Sequence, residues 1–191
     1  MITDRDIEKI FGEFLKQIKD RKMRQMTMKV WVDGCRDGGW KTLKELEKMP
    51  FTLLTDCHGV NFIEHTKAVT AGAMGLARAQ TDSYRKLPYR IDMDRLIVGG
   101  LLHDVGKLLE TTPDGKGGYK KSKTGACLRH PISGTVMAKM AGFPDEVANI
   151  IACHAKEGEG APQVIETVFI HQADFATFNP LVMKNGGKLI E

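Results

Sequence analysis

The run Leu96–Leu109, LIVGGLLHDVGKLL, is apolar nearly all round but carries ionisable residues in its interior. Asp92 is a suitable N-cap, so the pattern predicts one helix over residues 93–109 at the centre of the fold. An unpaired charge buried there destabilises a protein strongly. His103 and Asp104 therefore need a partner, and a metal ion is a partner that both side chains can bind.

The rest of the chain is predicted to form helices joined by polar segments. The residue pattern is helical over 4–19, 41–48, 61–81, 131–141, 145–156 and 163–178. No segment shows the sustained alternation of apolar and polar residues that is typical of a strand. Three glycines and two aspartates over residues 33–40 predict a helix break, and residues 111–129 predict a long loop. The sequence thus predicts an all-α fold.

Composition narrows the class of protein. A chain of 191 residues is close to the length of one domain, and its net charge of +4 does not indicate nucleic-acid binding. The four cysteines form no Cys-x-x-Cys pair, and neither a signal core nor a membrane span is present in the sequence. We expect a cytoplasmic protein with reduced thiols and no membrane association, and the sequence is compatible with a homo-oligomer.

Six residues of types that commonly bind metals, histidine and aspartate, occur in apolar segments on or next to the predicted helices. They are His65, His103, Asp104, His130, His154 and Asp174. A single metal site rarely needs six protein ligands, whereas two ions that share a bridging carboxylate do. The set therefore predicts a binuclear metal centre.

The ordered series H…HD…H…H…D resembles the HD-domain superfamily of metal-dependent phosphohydrolases. The resemblance implies one HD-type domain over residues 1–191, with a helical core over 59–180 that binds the metals and an N-terminal helical extension over 1–58. It also implies two divalent ions, which are iron, manganese, nickel, cobalt or zinc. One ion is held by His65, His103, Asp104 and Asp174, and the second by His130 and His154 with Asp104 as the bridge.

The HDVGK segment resembles that of HD-GYP proteins, in which the lysine contacts substrate phosphate or bridging solvent. The chain departs from the subgroup later, because Ala155 stands where its second histidine would be and no Gly-Tyr-Pro follows. A binuclear centre is compatible with this departure, but the subgroup's specificity for cyclic dinucleotides is not indicated.

The predicted chemistry is attack by a metal-bridging hydroxide on a phosphomonoester or phosphodiester, with a nucleotide as one case. Asp104 and Lys107 are the expected catalytic residues. Lys107, together with Arg129 or a lysine of residues 116–123, is expected to bind the small anionic, phosphorylated substrate. His171 lies three residues before Asp174 on one helical face, so it contacts substrate, orients that aspartate or makes a core hydrogen bond.

Two other functions are compatible with the same residues. Mixed-valent di-iron oxygenases of the myo-inositol oxygenase type also resemble this ligand series, including the lysine after the His-Asp pair. A ligand-binding or signalling module with structural metals is the third alternative, and the N-terminal residues would then dock a partner. Phosphohydrolase is the main prediction, by analogy with the larger number of hydrolases that carry the series.

Overall fold

Helices form most of the regular structure in this computed structural model, which describes residues 1–190. The helices are α1 (Asp4–Leu15), α2 (Arg21–Asp37), α3 (Leu43–Leu46), α4 (Phe62–Ser83), α5 (Met93–Leu102), α6 (Lys107–Glu110), α7 (Lys123–Cys127), α8 (His130–Met140), α9 (Asp145–Cys153) and α10 (Ile165–Asn185). The predicted all-α fold is confirmed, with one small addition. Strands β1 (Thr111–Pro113) and β2 (Tyr119–Lys121) form an antiparallel hairpin inside the predicted loop 111–129.

The centre of the fold is α5, which packs between α4 and α10 and against α9. Every residue from Leu96 to Leu102 is buried, as the apolar run predicts. Two glycines allow this close packing, because a Cβ at Gly99 would lie 2.7 Å from the Ile150 side chain. None of the helices described for residues 1–190 is long and apolar enough to span a membrane.

The predicted single helix over residues 93–109 is wrong, because the chain turns at the His-Asp pair. Helix α5 ends at Leu102, residues 103–106 form a tight turn, and α6 begins at Lys107. In the turn the Lys107 N–H donates to the Asp104 carbonyl at 2.8 Å. A Cβ at Gly106 would lie 2.2 Å from the His130 carbonyl oxygen, so only glycine lets the turn approach α8 this closely.

The predicted helix break at residues 33–40 begins too early. Helix α2 continues through Gly34 to Asp37, and its C-cap is Gly38. A Cβ at Gly34 would lie 2.6 Å from the Met137 side chain and 2.9 Å from that of Leu108. Close packing on the core therefore explains this glycine.

Helix α10 extends seven residues past its predicted end at 178, and it contains Pro180. Contacts with the segment before α4 hold its last turn. The Asn185 amide donates to the Thr55 hydroxyl at 2.6 Å and to the Asp56 carbonyl at 2.9 Å. Tertiary hydrogen bonds of this kind are not visible in local sequence.

Two buried tryptophans join the N-terminal residues to the His-Asp turn. The Trp31 indole N–H donates to the Leu101 carbonyl at 2.9 Å, and that of Trp40 donates to the Leu108 carbonyl at 2.8 Å. Their acceptors lie on either side of residues 103–106. The N-terminal residues therefore support the turn from both ends.

Candidate metal centre

The six predicted ligands converge on one buried point. His65 lies in the first turn of α4, the His-Asp pair in the turn after α5, and His130 at the start of α8. His154 follows α9 directly, and Asp174 lies within α10. Four helices and one turn, far apart in sequence, thus supply one cluster.

Asp104 separates the four histidines into two pairs. Its Oδ2 lies 3.3 Å from Nε2 of His65 and 3.4 Å from Nε2 of His103. Its Oδ1 lies 3.1 Å from Nε2 of His130 and 3.5 Å from Nε2 of His154. Each carboxylate oxygen therefore faces a different pair of histidines.

Asp174 completes the first of these groups, since its Oδ1 lies 3.1 Å from Nε2 of His65. Three overlapping sets of residues could each hold a metal ion. Within each set, the donor atoms lie within 4.8 Å of one another. These sets are His65–His103–Asp104, Asp104–His130–His154 and His103–His154–Asp174. The cluster can therefore hold divalent metal ions.

Backbone carbonyls orient two of the histidine rings. His103 Nδ1–H donates to the Gly100 carbonyl at 2.7 Å, and His154 Nδ1–H donates to the Ile151 carbonyl at 2.9 Å. A carbonyl only accepts, so the proton of each neutral ring must lie on Nδ1. The Nε2 lone pair of each ring is then directed at the cluster, as metal ligation requires.

Side chains orient the other two rings. Glu110 accepts from His130 Nδ1–H at 2.9 Å. The Thr177 hydroxyl donates to the Asp174 carbonyl at 2.8 Å, so its oxygen can accept from His65 Nδ1–H at 3.3 Å. All four histidines therefore present Nε2 to the same centre.

Several of these atoms have no hydrogen-bond partner in residues 1–190. They are Nε2 of His65, His103 and His154, and Oδ1 of Asp104. Buried polar atoms are normally satisfied, and each exception destabilises the fold by roughly 1–3 kcal/mol. Imidazole nitrogens and carboxylate oxygens suit divalent transition metals. The residues present thus fit the metals that the ligand series implies.

The carboxylates of the centre are ionised at neutral pH. Burial raises the pKa of Asp104, but the charges of Lys107, His103 and His130 outweigh it and hold that pKa well below its usual range. Lys107 Nζ lies 2.5 Å from Asp104 Oδ2. Burial likewise raises the pKa of Asp174, but the close approach of the His65 imidazole helps lower it to about 2.

The histidines respond to the same environment in opposite directions. Burial lowers the pKa of His65, yet the neighbouring carboxylates of Asp104 and Asp174 outweigh burial and the pKa rises. Burial dominates at His130 and lowers its pKa, which favours the neutral ring. Neutral imidazole is the form that ligates a metal.

A cavity of about 220 Å³ opens onto the centre, and His130 and Asp174 form part of its lining. Apart from Thr52, Thr111 and Ala155, the rest of the lining divides into two chemical groups. The apolar lining consists of Phe51, Leu53, Leu54, Phe175 and Phe178. The charged lining consists of Lys107, Glu110, Lys121, Arg129, Lys156 and Glu157.

The residues predicted to bind substrate have different placements. Lys107 and Arg129 line the cavity, as does Lys121 from the predicted loop 116–123. His171 is not part of the cavity lining, and its Nδ1–H donates to the His154 carbonyl at 2.7 Å. That contact orients the backbone beside a ligand, while the predicted contact of His171 with substrate stays a prediction.

Sequence reasoning missed Glu110 and the apolar lining. Glu110 is the acidic residue that ends the apolar run after Lys107, and this position was the available signal. Phe51 stacks on His65 with ring centroids 4.1 Å apart, although it lies between the predicted helices over 41–48 and 61–81. Local pattern carries no information on such a contact.

The comparison with known families decides where the chain belongs. A profile described as HD domain matches residues 62–175, which is more than half of the sequence. The chain belongs to the HD domain family. The HD domain match includes all six predicted ligands, and the family consists generally of metal-dependent phosphohydrolases.

Two curated relatives of this HD domain chain are named Ribonuclease Y. The protein from Pseudothermotoga lettingae is 28% identical over 167 residues, which is 87% of this chain and 27% of the relative. The protein from Desulforudis audaxviator is 32% identical over 117 residues, which is 61% of this chain and 18% of the relative. The chain thus spans about a quarter or less of these relatives. No solved structure gives a significant match to this chain.

Proposed function

We propose that this HD domain chain is a metal-dependent phosphohydrolase that holds two divalent ions and hydrolyses a phosphomonoester or phosphodiester. The single observation that supports the proposal is the division of the histidines by Asp104, with unpartnered Nε2 atoms on both sides of its carboxylate. One shared carboxylate between two groups of donors is the arrangement expected of a binuclear site.

The residues divide between the ions as follows. His65, His103 and Asp174 would hold one ion, and His130 and His154 would hold the other, with Asp104 shared between them. When bound, such ions lower the pKa of a water they share and offset negative charge at phosphorus.

Lys107 and Arg129 are the chain's own contribution to binding the phosphate. Lys107 lies beside Asp104 and also lines the cavity, so its ammonium group can hold a phosphate oxygen as charge develops on it. The Arg129 guanidinium is bonded to Glu110 and Glu157 at 3.0 Å each. These two carboxylates orient the arginine before substrate arrives.

Metal analysis combined with a turnover assay tests the proposal. Protein purified without oxygen is assayed for manganese, iron, cobalt, nickel and zinc, and for hydrolysis of p-nitrophenyl phosphate and bis(p-nitrophenyl) phosphate. We expect about two ions per chain. Asp104→Ala is expected to lose metal and turnover together, whereas Asp145→Ala, on an exposed carboxylate, keeps both. An Asp104→Ala protein with full metal content and activity would sink the proposal.

The same preparation separates the other functions. Two irons with substrate-dependent oxygen uptake and no ester hydrolysis would support the di-iron oxygenase, which the ligand series and Lys107 also fit. Metal without any turnover would support the binding or signalling module. The name of the relatives makes an RNA oligonucleotide the appropriate second phosphodiester substrate to assay.

A further inference from the structure

We propose that the apolar lining of the cavity binds an aromatic ring carried by the phosphorylated substrate. The inference rests on the proposed function, because it assumes that a phosphate group occupies the metal centre. The residues concerned are Phe51, Leu53, Leu54, Phe175 and Phe178.

The apolar lining begins at a metal-binding residue. The Phe51 ring stacks on the His65 imidazole with an interplanar angle of 17° and centroids 4.1 Å apart. Phe178 contacts Phe51 edge-on, with centroids 6.3 Å apart. Phe51 itself is only 2% exposed, so the rings that the substituent of a bound phosphate ester contacts are those of Phe175 and Phe178.

Part of this lining is exposed in the absence of a ligand. Leu54 is 74% exposed and Leu53 is 41% exposed, and both lie beside the half-buried rings of Phe175 and Phe178. Isolated exposed leucines are ordinary, but apolar groups gathered in a cavity beside convergent charges are typical of a ligand site. The cluster is therefore more consistent with a bound apolar group than with general surface.

The apolar lining offers few hydrogen bonds to a ligand. Among residues 51–54, 175 and 178, Thr52 has the only polar side chain. Its hydroxyl already accepts from the Leu54 N–H at 3.2 Å, and its carbonyl accepts from the Cys57 thiol at 3.5 Å. A ring bound here is recognised by its face and not by its edge, so different rings are expected to bind similarly.

The charged lining supplies the complementary end of the ligand site. Lys107 Nζ lies 5.7 Å from the Phe51 ring centroid, so a cation and the aromatic surface meet beside Asp104. Lys121 and Lys156 also line the cavity, and neither forms an ion pair within the part of the chain that the structure describes. An anionic group joined directly to a flat apolar group matches this distribution of charge.

Equilibrium binding of two non-hydrolysable probes tests the inference without turnover. Phenylphosphonate and methylphosphonate are titrated into manganese-loaded protein by calorimetry. We expect phenylphosphonate to bind roughly tenfold more tightly, since contact of one ring with aromatic side chains contributes about that factor. Phe178→Leu is expected to remove most of the preference. Tyr84→Leu, at an aromatic residue 50% exposed and outside the cavity lining, is the matched control that retains it.

Turnover of substrates with the same ester bond gives a second measurement. Adenosine and uridine 5′-monophosphates are compared with ribose 5-phosphate, which carries an anomeric hydroxyl in place of the base. Both nucleotides are expected to exceed ribose 5-phosphate in kcat/KM and to lie within a fewfold of each other, and benzyl phosphate shows whether a simple aryl group suffices. Leu54→Ser changes a side chain too exposed to unfold the protein, and it should reduce each preference.

Equal affinity for the two phosphonates would overturn the inference, as would a preference that survives Phe178→Leu and Leu54→Ser. Hydrolysis without any ring preference would contradict this inference alone. Ring-dependent phosphonate binding in a protein that hydrolyses no ester would support the inference and contradict the proposed function.

Discussion

Glu110 accepts two hydrogen bonds from His130, one from the backbone N–H at 2.7 Å and one from Nδ1–H at 2.9 Å. Burial raises the pKa of Glu110, but the bonds from His130 outweigh it and lower that pKa, so the buried carboxylate stays ionised. A carboxylate behind a ligating imidazole makes the ring more basic and fixes its tautomer. Glu110 thus acts on the metal centre through His130.

Glu110→Gln is therefore expected to weaken metal binding by about 10- to 100-fold without unfolding the protein. Competition with a chelator measures the affinity, and circular dichroism reports the helix content. Glu157→Gln is the control, because Glu157 also bonds to Arg129 but has no bond to His130. Wild-type affinity in Glu110→Gln would contradict the positioning role.

Asp174→Asn is expected to remove one of two ions. Asp174 contacts His65 on one side of the centre, while His130 and His154 face the other oxygen of Asp104. Mass spectrometry of the metal content should give about one ion per chain, against about two in the wild type and almost none in Asp104→Ala. Loss of both ions from Asp174→Asn would show that the two groups of ligands do not load separately.

Gly106→Ala is expected to destabilise the fold by about 1–3 kcal/mol or more, since overpacking at backbone contacts has that magnitude. The added Cβ would lie 2.2 Å from the His130 carbonyl oxygen and 2.7 Å from the Gly134 nitrogen. Gly75→Ala is the matched control in α4, where a Cβ meets nothing within 4 Å. The control should be neutral or more stable by up to about 1 kcal/mol. Urea denaturation measures both.

Metal removal is expected to lower the melting temperature. An ion at a hundred times its Kd raises the free energy of unfolding by about 2.7 kcal/mol when it binds only the folded state. Protons compete with the metal for the histidine ligands, and the raised pKa of His65 makes it the first to be protonated, so this stabilisation is lost as the pH falls. Differential scanning calorimetry with and without a chelator should show the difference at pH 7.5 and little at pH 5. A metal effect that persists in Asp104→Ala would argue against binding at this centre.

The six clustered side chains could be singled out from the sequence because ionisable residues within apolar helices require a partner. His103 and Asp104 carried that signal although their helix ends at Leu102. The break at the pair depends on the contact of Gly106 with His130, which is 24 residues away in sequence and has no local signature. Glu110 was missed for the same reason, since its partner lies in another helix. The sequence shows which side chains are chemically unusual for their surroundings, but it does not show contacts between residues far apart in the chain.

Trp40→Phe is expected to cost about 1–3 kcal/mol of stability, because it leaves the buried Leu108 carbonyl without its donor. It is also expected to weaken metal binding, since Leu108 directly follows Lys107 at the end of the turn. Tyr84→Phe, at an exposed residue, should change stability by less than about 0.5 kcal/mol. Urea denaturation and chelator competition measure the two effects, and an unchanged metal affinity would limit Trp40 to packing.

Both tryptophans that hold the turn precede residue 62, where the family match begins. A fragment that starts at residue 59 would retain every metal ligand and still lack both of these donors. The segment that contains the predicted metal ligands is therefore shorter than the segment needed to hold the turn between them in place. Grafting the H…HD…H…H…D residues into another helical protein would transfer the ligands without the support that fixes their geometry.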